Sequence, residues 1–177
     1  MDKPSYIGFD SERYKKKLQI YTTKGEVGVL SYNYSKKISP FWKFKTPKLA
    51  EESANKIYNI FMDNIDAAKK YLHFADSNKI SINLIKLFIR ADICRKFLLM
   101  GYTRSMRYYY HKSGQKWEYD RYTRKWYVIP NEYDSEKKES AEIFKYYYNK
   151  ALNNGIYIKL KKYFNNLPTY AKSTHNI

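Results

Sequence analysis

Four side chains in the middle of the chain recur at helical spacing: Arg104, Arg107, Tyr108 and His111, at i, i+3, i+4 and i+7. On one helix they fall within roughly 100° of arc, so two guanidinium groups, a phenol and an imidazole leave the same face. A guanidinium fork grips phosphate or carboxylate through paired N–H donors, which an ammonium point charge cannot do. Lys112 adds a further cation one residue on. The chemistry this suggests is polyanion binding. A solvated helix face, with arginine stems covering tyrosine rings, is the competing reading.

Arginine usage favours the first reading. The 177 residues carry 34 Lys plus Arg against 17 Asp plus Glu, a net charge of +17. Such a field attracts nucleic acid, an anionic membrane surface or an acidic protein. Lysine, however, supplies 27 of the 34 bases and is scattered from end to end, beside many Asn, Tyr, Ile and Phe. All of these have AT-rich codons, so much of the charge can be codon drift on a solvated surface. The arginines behave differently. Of seven, six (Arg90, Arg95, Arg104, Arg107, Arg121 and Arg124) lie between residues 90 and 124. That window holds nine basic residues against three acidic ones.

A second group follows in GQKWEYDRYTRKWYV, where Lys116, Arg121, Arg124 and Lys125 interleave with Trp117, Tyr119, Tyr122, Trp126 and Tyr127. Cations that track a backbone and rings on which bases stack suit single-stranded nucleic acid. An ordinary hairpin with one aromatic face buried has the same pattern. The turn cations Arg121 and Arg124 are therefore better candidates than the rings. The expected nucleic-acid contacts are Arg104, Arg107, Tyr108, His111, Lys112, Lys116, Arg121 and Arg124.

Catalytic patterns are lacking. His73, His111, His175 and the lone Cys94 show no zinc-site spacing. Glu51-Glu52 and Glu118-x-Asp120 have no second acidic cluster with which to hold a divalent metal. No Gly-rich phosphate loop is present. Neither a catalytic residue nor a cofactor is expected, and the one enzymatic alternative is nucleic-acid chemistry with His111 as acid or base. A virion or other interaction protein, its basic face meeting an acidic partner, is the remaining class. Cys94, among apolar neighbours, reads as an inert buried thiol, and a single cysteine suits a reducing compartment. MDKPSYIGFDSERYKKK has no apolar signal core and no stretch is long enough to span a bilayer. The expected location is intracellular or inside a virus particle.

These groups need a scaffold. The pattern predicts a basic arm (1–16), one globular domain (17–167) and a polar tail (168–177). Within the domain, LQIYTT (18–23) and VGVLSYNY (27–34) flank Lys24-Gly25 as a β-hairpin. Thr46-Pro47 opens an amphipathic helix to about residue 75. A second helix, about 80–100, is apolar nearly all round and belongs at the centre. On it Asp92, three and four residues from Arg95 and Lys96, reads as an ion pair. Gly101 is expected as a left-handed cap. Thr103 then starts a short separate helix with Arg104 in its anion-friendly first turn and Met106, Tyr109 and Tyr110 facing inward, the outline of a helix-turn-helix. Strands 115–119 and 125–129 make a second hairpin, and two helices follow, from about 135 to 152 and after Gly155. The fold class is mainly helical α+β, with four to five helices and two short β-hairpins.

The segments GEVGVL (25–30), FWKFKTP (41–47) and RKFLLMGYTRSMRYYYHKSGQKW (95–117) resemble a family known as domain of unknown function 4385, found in large phages, bacteria and some fungi. The resemblance spans roughly residues 18–165. Matching positions include Trp42, Lys45, Thr46, Pro47, Arg95, Gly101, Arg104, Arg107, Tyr108, His111, Lys112 and Gly114. Met106 stands where many members have another arginine. The resemblance implies a compact domain of this size and no established activity. With the AT-rich composition it suggests a viral or phage source.

Overall fold

The computed structural model describes residues 28–30, 32–72 and 82–165. Along them run α1 (Ser35–Ile38), a 3-10 turn (Ser39–Phe41), α2 (Pro47–Leu72), α3 (Ile82–Tyr110), β1 (Trp117–Asp120), β2 (Lys125–Val128), α4 (Ser135–Leu152) and α5 (Gly155–Asn165). This is a mainly helical α+β fold with one antiparallel hairpin among the described residues.

Helix α2 starts where Thr46 and Pro47 predict. The Thr46 hydroxyl accepts the Leu49 N–H at 3.3 Å, satisfying a first-turn donor that has no partner within the helix. Its buried stripe is Ala50, Ser53, Ala54, Ile57, Phe61, Asn64, Ile65 and Ala68, a three-and-four spacing laid against α3 and α4. Helix α3 is the hub, packed on α2, α4 and α5. Its residues Leu84, Ile85, Phe88, Ile89, Ala91, Ile93, Cys94, Phe97 and Leu98 are all buried. An all-round apolar helix has neighbours on every side, as its sequence requires. The Cys94 thiol is buried, and that burial raises its pKa.

Asp92 sits inside this packing. Its carboxylate accepts from the Arg95 guanidinium at 2.6 Å and from the Tyr157 hydroxyl of α5 at 2.6 Å, with the Lys96 ammonium at 3.3 Å. Burial works against ionisation, but Arg95, Lys96 and Tyr157 outweigh it and hold the carboxyl below its ordinary range. The ion pair expected from sequence thus has two cationic partners and a tyrosine from another helix.

Two expectations fail. Residues 28–30 and 32–34 are not a strand: the first three are helical and the others form a turn, while 18–27 and Ser31, the rest of the expected first hairpin, lie outside the described residues. Backbone bonds close locally, with the Tyr32 N–H on the Val29 carbonyl (3.3 Å) and the Ser35 N–H on the Tyr32 carbonyl (2.8 Å). The Ser35 hydroxyl also donates to the Val29 carbonyl, and Val29 is buried in the core. Local turn bonding and burial override the β-branched preference.

The second failure is at Gly101, which does not end its helix. Helix α3 runs on without a break to Tyr110. A Cβ at residue 101 would lie 2.4–2.6 Å from ring carbons of Phe144 on α4. Glycine is there because two helices approach closely, not because the chain turns. Thr103 is no N-cap either, since its hydroxyl donates back to the Met100 carbonyl at 3.2 Å. The helix-turn-helix outline goes with the break.

Candidate nucleic-acid interface

Without a break at Gly101, the electrostatic setting of the arginines reverses. Arg104 and Arg107 lie in the last two turns of α3, near the negative end of its dipole, not in the first turn of a new helix. Backbone N–H groups are not available there for an anion. Cations at this end stabilise the helix by themselves, which accounts for part of their presence.

The four residues of the i, i+3, i+4, i+7 set are not equally placed. Arg107 is exposed, whereas Arg104 is half-buried with its guanidinium 5.1 Å from the Trp42 ring centroid. That indole stacks edge-on against Phe97 at 5.6 Å, so Arg104 covers the edge of the core. Tyr108 is half-buried, 6.0 Å from the Phe44 ring. His111, expected to face outward, is buried, with 7% exposed. The residue that does point into the core from this stretch is Ser105, fully buried, while Tyr110, expected inside, is 39% exposed. Tyr110 packs with Tyr109 (4.7 Å) and Tyr133 (6.1 Å) in a surface cluster of rings.

The left-handed glycine expected at 101 occurs at Gly114, with φ +70°. Its N–H bonds the His111 carbonyl at 2.7 Å, and a Cβ there would meet the Tyr108 ring at 2.9 Å. Lys112 is exposed on this turn. After the hairpin, the chain returns to the end of α3, where the Glu132 and Asp134 N–H groups bond the Tyr110 (2.9 Å) and Tyr109 (3.2 Å) carbonyls. Carbonyls left over at a helix C-terminus are thereby satisfied, and the base of the hairpin is tied down on both sides.

The hairpin itself pairs Trp117 with Val128, Glu118 with Tyr127, Tyr119 with Trp126 and Asp120 with Lys125. Side chains alternate, so Trp117, Tyr119, Trp126 and Val128 share one face. That face is not buried: the four are 49%, 43%, 66% and 50% exposed. The Tyr119 and Trp126 rings meet at 5.2 Å, and the Lys116 ammonium lies 5.9 Å from the Trp117 ring centroid. At the tip, Asp120 accepts the Tyr122 N–H (2.8 Å) and the Thr123 hydroxyl (2.7 Å), and these bonds lower its pKa. Arg124 takes up φ 57°, unusual for a residue with a side chain, and closes the turn. Arg121, Tyr122 and Arg124 are exposed there.

One feature was not legible in the sequence. A cleft of about 440 Å³ opens between the loop before α2 and the ends of α3 and α4, lined by Lys43, Phe44, Lys45, Leu49, Tyr108 and Lys137. The FWKFKTP motif contains half of this lining, but Lys137 lies far away in sequence. The Lys137 ammonium donates to the Lys45 carbonyl, joining the cleft's two sides.

The family model described as domain of unknown function (DUF4385) matches residues 6–167. The chain belongs to the DUF4385 family. No curated protein and no solved structure matches it. The DUF4385 match takes in the end of α3, the hairpin and the cleft together. Among the described residues of this DUF4385 chain no helix is long and apolar enough to cross a membrane.

Proposed function

We propose that this protein binds single-stranded nucleic acid through the β1–β2 hairpin and the adjoining end of α3. The observation that carries the reading is the open aromatic face of Trp117, Tyr119 and Trp126. An ordinary hairpin buries such a face against its own domain, and this one leaves it to solvent. Lys116, Arg121 and Arg124 flank it with cations, and Arg107 and Lys112 extend the positive surface along the helix end. Bases stack on rings and phosphates follow cations, a combination that tolerates any sequence. Tyr108 and Arg104 contribute from the edge, whereas buried His111 holds up the turn and is not a contact.

The test is an anisotropy titration of labelled single-stranded DNA, RNA and duplex at two salt concentrations. Single strands should bind more tightly than duplex, and affinity should fall steeply with salt. Replacing Trp117 and Trp126 by alanine should weaken single-strand binding by about 1–3 kcal/mol per lost stacking partner. A flat salt response, or unchanged affinity in that double variant, refutes the reading.

A second reading has its own support. The Trp117, Tyr119, Trp126 and Val128 face carries no charged residue, and Lys125 projects from the other face. Exposed apolar patches of this kind also mark protein contacts. Binding of an acidic partner protein, with none to nucleic acid in the same titration, would select it.

A further inference from the structure

The cleft beside Tyr108 has the chemistry of a nucleotide pocket. Its floor is Phe44, Leu49 and Tyr108, Lys43, Lys45 and Lys137 complete the lining with no acid among them, and the surface they present is almost wholly apolar. Such a site complements a flat apolar body that carries negative charge at its edge. A nucleobase with its phosphates is that kind of group, and a volume of about 440 Å³ lies in the range of small-ligand sites. The Phe44 and Tyr108 rings are 6.0 Å apart and inclined by 34°. A base sandwiched between two rings needs about twice the stacking distance of roughly 3.4 Å, so a base here lies across the rings and not between them.

The walls are held in place before anything binds. The Lys43 N–H donates to the Ser53 hydroxyl of α2 at 3.1 Å, and Lys137 is bonded to the Lys45 carbonyl. Tyr108 is backed by Gly114, where a Cβ would come within 2.9 Å of its ring. Gly114 leads through Lys116 straight into β1, so the cleft adjoins the base of the hairpin.

We propose that this cleft seats one nucleotide of a strand bound along the hairpin, its base against Phe44 and Tyr108 and its phosphates on Lys43, Lys45 and Lys137. The inference rests on the single-strand reading and adds to it a fixed position for one base. It makes the bound strand turn off the hairpin toward α2, and it gives the Lys43 and Lys45 loop a direct part in affinity.

An oligothymidylate of about 20 nucleotides carrying 5-iodouracil, irradiated with the full chain and mapped by mass spectrometry, tests it at a length that covers typical single-strand sites. Cross-links at Phe44 or Tyr108, as well as on the hairpin rings, are the expected result. In parallel, Lys43→Glu with Lys45→Glu should weaken binding about tenfold or more, against about twofold for the same charge change at exposed Lys159 and Lys161 on α5. Circular dichroism melting checks that both double variants fold. Cross-links confined to Trp117, Tyr119 and Trp126, with equal losses in the two variants, would overturn the cleft and leave the hairpin reading standing. Absence of any binding by the wild-type chain would overturn both.

Discussion

The middle of α3 and the β1–β2 hairpin are built from the same kinds of residue and end in opposite states. Around the helix, Arg95 is bonded to Asp92 at 2.6 Å and lies 5.7 Å from the Tyr148 ring, and Tyr157 of α5 is 1% exposed. In the hairpin, Tyr122 is fully exposed and Trp126 two-thirds exposed, with Arg121 and Arg124 beside them. Rings and cations in the helix have found their partners within the chain. Those of the hairpin have not been covered by it. Partner supply, not residue type, separates a stabilising network from a surface able to take up something else.

That comparison is sharpest at Asp92. Asp92→Asn leaves Arg95 and Lys96 partly buried without a counter-charge, and should cost about 3–5 kcal/mol in a denaturant titration. Acid should act on the same group. Because the folded carboxyl titrates below the unfolded one, its contribution is complete above the unfolded pKa of about 4 and is lost as pH falls through the folded value. Wild-type stability should therefore drop on acidification below about pH 4, and Asp92→Asn should flatten that slope.

Gly101→Ala is the next largest effect. A Cβ 2.4–2.6 Å from the Phe144 ring must push α3 and α4 apart. Overpacking of this kind costs about 1–3 kcal/mol, read as a lower melting temperature, even though alanine is the better helix former. A gain in stability there would show that the helices can part without loss. Smallest of all, Trp117→Ala with Trp126→Ala should change stability by no more than about 0.5 kcal/mol while removing single-strand affinity. If that double variant unfolds instead, the hairpin belongs to the core and the contrast with α3 collapses.

Much of the fold was legible because helical periodicity is a local signal. The Thr46-Pro47 start of α2, the central place of α3, the Asp92 ion pair and the hairpin around DRYTR all follow from spacing and turn chemistry. The failure at 28–34 was local, a matter of turn bonding, whereas those in and after α3 were not. Gly101 reads as a stop when seen alone and as a close approach once Phe144 is beside it. Arg104 and Arg107 change from the positive end of one helix to the negative end of another for the same reason. His111 is buried although its spacing puts it with outward-facing residues, and spacing alone does not report what packs over a side chain. Of the expected contacts, Arg107, Lys112, Lys116, Arg121 and Arg124 are on the surface, and Arg104 and Tyr108 are half-covered.

The sequence by itself determined the family, the helical α+β class and the concentration of arginine between residues 90 and 124. Each of these is carried by residue identity and spacing along the chain. Tertiary structure decided which of those residues face outward. It ran α3 through Gly101, left the aromatic face of the hairpin uncovered and brought Lys137 to Lys45 across Phe44 and Tyr108. Exposure and juxtaposition depend on what packs over a residue, and that neighbour can come from anywhere in the chain.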